Sequence, residues 1–121
     1  MQMLQLVNAE RKAKGLRQLT ADNGLATAAR LHSADMFRRG YFSHNTPEGA
    51  TPFDRLRKLK ITYRYAGENL AMAPSLAGAH DALMKSPGHR ANILNASFGK
   101  IGIGIMDAGA KGLMITQEFR D

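Results

Sequence analysis

The sequence of 121 residues has no cysteine and no tryptophan, and it has only ten acidic residues compared with 17 lysines and arginines. The absence of cysteine excludes disulfides, thiolate catalysis and cysteine-ligated metal sites. No apolar run approaches the ~20 residues that a helix needs to cross a bilayer. Residues 1–7 also lack the basic start and long apolar stretch of a signal peptide. The chain itself therefore indicates either a cytoplasmic protein or a mature domain without its leader.

The charge of +7 favours anionic neighbours such as nucleic acid, anionic lipid or acidic cell-envelope polymers. The basic clusters show no aromatic interleaving, zinc-finger spacing or recognition-helix pattern, so nucleic-acid binding is not favoured. We interpret both clusters as solvated basic faces. They comprise Arg11, Lys12, Lys14 and Arg17, and then Arg55, Arg57, Lys58, Lys60 and Arg64.

Length and composition predict one globular domain covering residues 1–121. Hydrophobic residues make up 44% of the chain and charged residues 22%, which excludes wholesale disorder. A chain of this size buries roughly two-thirds of its unfolded surface, enough for a single core.

Hydrophobic periodicity and capping residues predict five helices. Thr20 or Asp22 is the expected N-cap of the second, Gly40 its C-terminal stop, and Thr51 with Asp54 forms a capping box at the third. The predicted helices run from Met1 to about Lys14, from Asp22 to Arg39, from Thr51-Pro52 to about Lys60, from Ser75 onward, and from Ser86-Pro87 to Leu94.

Strands are predicted late in the chain. The segment from Lys100 to Met106 alternates isoleucine with glycine, so that its glycine face lets another element approach closely. A turn separates this segment from a returning strand, Leu113 to Arg120, and the region of Glu68 to Met72 adds a third. Helices followed by an antiparallel sheet indicate an α+β fold.

Three turn-like segments each contain a side chain capable of binding metal or transferring protons: His44, Glu68 and His89. His44 follows an aromatic pair in a loop, and Glu68 lies after Gly67 near the start of a strand. His89 falls at the third position of the helix that begins at Pro87, where the helix dipole favours a neutral ring. A neutral imidazole is the form that binds metal.

Each of these residues alone also has a purely structural interpretation. His44 can be an ordinary loop histidine, Glu68 a member of an internal ion pair, and His89 a histidine bonded to backbone in a capping turn. His32 lies on an apolar helix stripe and is predicted to be a hydrogen-bonded core or boundary residue, whereas His80 is predicted to be exposed. The methionines fit core filling. No strained Gly-x-Ser-x-Gly elbow accompanies any serine, so a serine nucleophile is not favoured.

Taken in order, the segments resemble the bacterial branch of the CAP superfamily of cysteine-rich secretory, antigen 5 and pathogenesis-related 1 proteins. The likeness spans nearly the whole chain. It is carried by residues 6–11 with Gly15, residues 32–36 and 42–44, Gly67-Glu68-Asn69-Leu70-Ala71, residues 86–94, Gly102-Ile103-Gly104 and residues 116–119.

The resemblance implies an α-β-α sandwich around a central antiparallel sheet of about three strands. It also implies a cleft with two histidines and two acidic residues, which holds zinc or another divalent cation in some members. His44, Glu68 and His89 match three of those positions. The fourth, a glutamate before the second histidine, has no counterpart, because that segment is compressed to residues 83–86. A missing acid weakens ion binding.

The resemblance implies an extracytoplasmic location. The favoured hypothesis is a binding module whose His44, Glu68 and His89 cleft holds a divalent cation, zinc among them, and recognises lipid, sterol or an anionic envelope glycan. The alternative is a metal-assisted hydrolase with Glu68 as the catalytic general base. In a third interpretation the three residues form a polar cluster that ties loops to the sheet. Enzymatic activity, the natural ligand and the oligomeric state stay open.

Overall fold

Five α-helices and four β-strands make up the protein in the computed structural model, which describes residues 2–121. Met1, the predicted start of the first helix, lies outside the described residues. The helices are α1 Gln2–Ala13, α2 Asn23–Arg39, α3 Pro52–Lys58, α4 Leu76–Lys85 and α5 Pro87–Ile93. The strands are β1 Thr20–Ala21, β2 Ala66–Ala73, β3 Lys100–Asp107 and β4 Leu113–Arg120, with a 3₁₀ turn at Gly109–Lys111.

The predicted helix boundaries are confirmed where a cap defines them. Asp22 accepts a hydrogen bond from the Leu25 backbone N–H at 2.8 Å and so caps α2. Gly40 ends the same helix in the left-handed conformation, with φ 71°, which a glycine adopts without strain. Thr51 and Asp54 exchange the reciprocal bonds of a capping box at the start of α3.

The strand order is β1-β3-β4-β2, and the three longer strands pair antiparallel as predicted. The prediction of about three strands missed β1, which pairs parallel with β3 through Thr20 and Ala21. Two residues are too few to show a period-two pattern, which explains the miss.

The sheet has helices on both faces, as the predicted α-β-α sandwich requires. On one face α2 packs directly against the glycines of β3. A Cβ atom on Gly102 would lie 2.0 Å from the Leu25 carbonyl carbon, and one on Gly104 would lie 2.2 Å from that of Ala29. The glycine face therefore serves the close approach of a helix backbone.

On the other face, α1, α4 and α5 cover the main core. This cluster unites both long central strands with the three helices. Its buried members include Met3, Val7, Ala79, Leu83, Ile93, Ile101, Ile103, Ile115 and Phe119.

Two sequence interpretations are wrong, because both side chains are buried. Arg11 was placed on a solvated face, yet its side chain is fully enclosed and donates to backbone carbonyls beyond α1. His80, predicted to be exposed, is 3% exposed and lies 2.8 Å from a Glu10 carboxylate oxygen, linking α4 to α1. The charge of Arg11 and the polarity of His80 predicted exposure, but backbone carbonyls and a neighbouring helix supply their hydrogen-bond partners instead.

Candidate functional site

The predicted site residues lie around β2, the last strand in the sheet order. Both α3 and α5 contact this strand, so the two helical layers meet at its outer edge. His44 lies in the loop between α2 and α3, Glu68 on β2 and His89 on α5. An edge strand between two layers therefore brings together residues that are 24 and 21 positions apart.

His44 is the accessible member of the site, with half of its side chain exposed. Its Nδ1 atom lies 2.8 Å from Glu68 Oε1. The loop is held in place on either side: His32 Nε2 bonds to the Ser43 carbonyl at 2.8 Å, and Arg55 donates to the His44 carbonyl at 2.8 Å. Burial of His32, as predicted, thus helps to position the neighbouring imidazole.

Glu68 is buried, with 1% of its side chain exposed, and Arg55 provides its counter-charge. The guanidinium Nη2 atom of Arg55 donates to both Glu68 oxygens, at 3.0 and 2.7 Å. Its Nη1 atom donates to Glu118 Oε2 at 3.0 Å. One arginine on α3 therefore holds two buried carboxyl groups that face each other across β2 and β4.

The two carboxyl groups have opposite pKa shifts. Burial by itself raises the pKa of Glu68. Hydrogen bonds from Glu118 and His44, together with the Arg55 charge, overcome that effect and lower the pKa of this carboxyl to about 2. Burial raises the pKa of Glu118 well above its usual range, and the hydrogen bond and charge of Glu68 raise it further. The two shifts favour the protonated form of Glu118 and the ionised form of Glu68.

This protonation pattern fixes the ring of His44. An ionised carboxylate only accepts hydrogen bonds, so His44 Nδ1 carries the proton and donates it to Glu68. In the neutral ring, Nε2 then has a free lone pair. A carboxylate behind a metal-binding histidine commonly sets the ring orientation in this way.

His89 lies at the third position of α5, as predicted, and is half-buried. Burial lowers the pKa of His89, and the nearby His44 lowers it further, so the neutral ring is favoured. Its Nδ1 atom lies 2.7 Å from the Oγ atom of Ser86, which is the N-cap residue of the same helix. That hydroxyl makes no side-chain bond to the helix backbone.

Two asparagines tie α5 to β2 and so position His89. Asn69, which is fully buried, donates to the His89 carbonyl at 3.1 Å and to Gln117 Oε1 at 3.1 Å. Asn92 donates to Asn69 Oδ1 at 2.9 Å and to the Glu68 carbonyl at 3.2 Å. The backbone on which both Glu68 and His89 lie is therefore fixed by amide hydrogen bonds.

Sequence reasoning missed Arg55 and Glu118. Arg55 was assigned to a solvated basic face, although its place in the first turn after a capping box fixes its direction. Glu118 was interpreted only as one of the alternating residues of the predicted strand from Leu113 to Arg120. In a sheet covered on both faces such an alternate residue is buried as well, which was the available signal.

As a direct metal ligand Glu68 fits poorly, since its oxygens already accept hydrogen bonds from His44 and Arg55. Within residues 2–121, no three histidine or acidic side chains are grouped to hold an ion. The donors that remain are the Nε2 atoms of two imidazoles, each with its Nδ1 atom engaged. The Nε2 atoms of His44 and His89 are the nitrogens of the predicted site that remain for an ion, and Glu68 lies behind the first of them.

Comparison with known proteins gives consistent matches. A family model described as CAP, the cysteine-rich secretory protein family, matches residues 4–119. YkwD of Bacillus subtilis (strain 168), an uncharacterized protein, is 40% identical over 118 residues, which cover 97% of this chain and 45% of YkwD. An extracellular protein of Bacillus anthracis that contains an SCP domain has a TM-score of 0.87 at 36% identity, covering 98% of this chain and 39% of that one. The chain spans less than half the length of these two relatives.

More distant structures share the fold. An outer surface protein of Borrelia burgdorferi has a TM-score of 0.91 at 22% identity, over 98% of this chain and 89% of that one. A crystal structure of NaASP2 with Zn²⁺ has a TM-score of 0.69 at 12% identity, over 97% of this chain and 76% of that one. Among residues 2–121, no helix is long and apolar enough to cross a membrane.

Proposed function

The chain belongs to the CAP, or cysteine-rich secretory protein, family, and on that premise we propose that it is an extracytoplasmic binding module with a cation-dependent cleft. In this proposal the Nε2 atoms of His44 and His89 hold a divalent cation, with zinc the first candidate. The observation that supports it most is the His44–Glu68 hydrogen bond of 2.8 Å, which engages Nδ1 and leaves the Nε2 atom of a half-exposed ring for a ligand. The extracytoplasmic location follows the relatives described as extracellular and outer-surface proteins.

Two protein ligands leave room at the ion for a ligand from outside. Zinc in proteins favours four ligands, and a site with open positions accepts water or a bound anion. When bound, the ion supplies a Lewis acid for an anionic group. The charge of +7 adds a long-range attraction for the same class of ligand. An anionic envelope polymer or lipid head group is therefore the ligand class that we propose.

The hydrolase hypothesis needs a different base from the one predicted. With its pKa lowered to about 2, Glu68 is a weak proton acceptor at neutral pH. His44, exposed and backed by a buried carboxylate, has the geometry of a general base with its orienting partner, provided that its Nε2 atom does not itself bind the ion. If a cation-dependent hydrolysis is found, we expect His44→Ala to abolish it. The binding module is favoured because Glu68, the base that the hydrolase hypothesis assigns, has a lowered pKa and already accepts hydrogen bonds from His44 and Arg55.

Zinc titration by calorimetry tests the proposed ion site. The wild type is expected to bind one zinc ion, and His44→Ala and His89→Ala are each expected to lose more affinity than the roughly 10- to 100-fold that removal of an outer partner costs. Asn45→Ala, an exposed change beside His44, is the control and should bind like the wild type. Unchanged zinc affinity in either histidine variant would place the ion elsewhere and refute the proposal.

The helix-capping residues Ser75 and Ser86 provide a matched pair of substitutions. They distinguish an effect on the position of the His89 ring from an effect on the stability of the fold. Ser75 Oγ accepts from the Gly78 N–H at 3.0 Å and caps α4, whereas Ser86 Oγ bonds His89 Nδ1. We expect Ser75→Ala to lower the free energy of unfolding by about 1 kcal/mol and to leave zinc affinity unchanged. For Ser86→Ala we expect the reverse: zinc affinity falls about 10-fold or more, with stability nearly unchanged. Ser86→Thr keeps the hydroxyl and should restore affinity. Equal zinc affinity in the two alanine variants would show that Ser86 does not position the ring.

A further inference from the structure

Three methionines lie side by side across the sheet. The strand register pairs Met72 of β2 with Met114 of β4, and Met114 with Met106 of β3. Paired residues in adjacent strands place their side chains on the same face. Met36 of α2 packs onto this row, in a cluster with Met114 and Met106. Four of the six methionines within residues 2–121 therefore meet at one end of the sheet.

This cluster opens to solvent through a pocket. A cavity of about 260 Å³ is lined by Met36, Met72 and Met114 together with the aromatic residues Phe37, Tyr41 and Phe42. Met72 is 39% exposed, and Phe37 and Phe42 are each 46% exposed. Met72 is thus the exposed thioether of this hollow, whereas Met36 and Met114 are buried and line it from the core side.

The chemistry of this hollow is unusual for the chain. Methionine packs loosely compared with leucine or isoleucine, so a row of three specifies a core poorly. With no cysteine in the sequence, its thioethers are the only sulfur ligands that the protein has. Thioether sulfur is a soft ligand, and it selects monovalent copper over harder ions.

We propose that Met36, Met72 and Met114 form a binding site for a soft monovalent cation of the Cu(I) or Ag(I) class. The three thioethers supply the ligands, and the surrounding aromatic rings shield the ion from water. None of these residues belongs to the site around His44, so the two sites are independent. Either one can fail without the other.

One charged side chain gives the proposal a directional test. Lys111, on the 3₁₀ turn, is the single charged residue that lines the pocket. Its ammonium group repels a bound cation and would attract an anionic occupant. Lys111→Gln is therefore expected to raise affinity for a cation by about fivefold, the effect of one nearby charge in a water-like dielectric.

The experiment is a calorimetric titration with Ag(I), which keeps its oxidation state during the measurement. The wild type is expected to bind Ag(I) at this pocket, and Met72→Leu to weaken binding by at least about tenfold. Leucine replaces methionine with little change in volume, so the fold tolerates the change. Met84→Leu, which lies against the main core away from the pocket, is the matched control and should not alter the affinity.

The outcomes are distinct. Ag(I) binding that survives His44→Ala and His89→Ala but is lost in Met72→Leu supports the methionine site. Binding that is lost with the histidines, that is equally weakened in Met84→Leu, or that is absent overturns it. Weaker binding in Lys111→Gln also overturns it, because a cation cannot gain from a neighbouring positive charge. Unfolding curves for all variants confirm that each comparison concerns a folded protein.

Discussion

Arg55→Met is expected to reduce the free energy of unfolding by about 3–5 kcal/mol, the usual cost of leaving a buried charge without its partner. Arg55 is the only cation bonded to the two buried carboxyl groups among the residues that the structure describes. Methionine fills similar space but leaves Glu68 ionised, with 1% of its side chain exposed. The same change frees the loop at the His44 carbonyl, so zinc affinity should fall as well. Urea unfolding followed by circular dichroism measures the stability effect.

Arg57→Met is the control for this change. Arg57 lies on the same helix, but its side chain is 61% exposed and pairs with the exposed Asp54. Its loss should alter stability by no more than about 0.5 kcal/mol. Adding Glu68→Gln to Arg55→Met removes the stranded charge and should restore at least about 1 kcal/mol through the coupling of the two residues. Equal unfolding midpoints for Arg55→Met and Arg57→Met would show that the guanidinium does not hold this site together.

Arg11→Met is expected to cost more than about 3 kcal/mol of stability. The buried guanidinium donates to four backbone carbonyls: those of Arg17, Ile93, Asn95 and Phe98, at 2.9 to 3.2 Å. Each buried carbonyl that loses its donor costs about 1–3 kcal/mol. The bonds join α1 to the segment after α5, which contains no regular secondary structure before β3. The measurement is the free energy of unfolding in urea.

Lys12→Met is the comparison for Arg11→Met, since Lys12 is the next residue and is exposed. It should leave the unfolding midpoint nearly unchanged. Arg11→Lys distinguishes charge from geometry: a single ammonium cannot reach four carbonyls in the fork arrangement of a guanidinium, so most of the loss should remain. Full stability in Arg11→Lys would mean that charge alone, and not the set of four bonds, fixes the segment.

Much of the fold was predictable because caps and periodicity are local signals. Thr51 with Asp54 marked a helix start, Gly40 marked a helix end, and the alternation of Ile101, Ile103 and Ile105 marked a strand. The two-residue strand β1 carries no such pattern, since its pairing depends on β3, 80 positions away. Local chemistry therefore defined the long elements and left the short parallel pair undetected.

The site was predictable only in part, for a related reason. His44, Glu68 and His89 could be chosen because each lies in a distinctive turn, and the family resemblance grouped them. The partners that set their chemistry lie on elements whose sequences look ordinary: Arg55 in a basic run and Glu118 in an alternating strand. Their roles arise from the register of β2 with β4 and from the docking of α3, which are long-range facts.

The structure also bears on the fourth acidic residue of the family pattern, which has no counterpart in this sequence. A second acidic residue is present, but it comes from β4 and lies behind Glu68, away from solvent. Because burial raises the pKa of Glu118 and this carboxyl shares Arg55, it adds little negative charge to the cleft. The site therefore has less acidic character than the family pattern implies, and for that reason the proposal assigns the two imidazoles as the ion's protein ligands.

The most direct measurement is X-ray diffraction from crystals soaked in Zn²⁺, with data collected at the zinc absorption edge. The account predicts a single strong anomalous peak about 2.0–2.1 Å from Nε2 of both His44 and His89, with Glu68 still bonded to His44 Nδ1. A zinc ion ligated by the Glu68 carboxylate in place of either ring, or no zinc between the two rings, would contradict it.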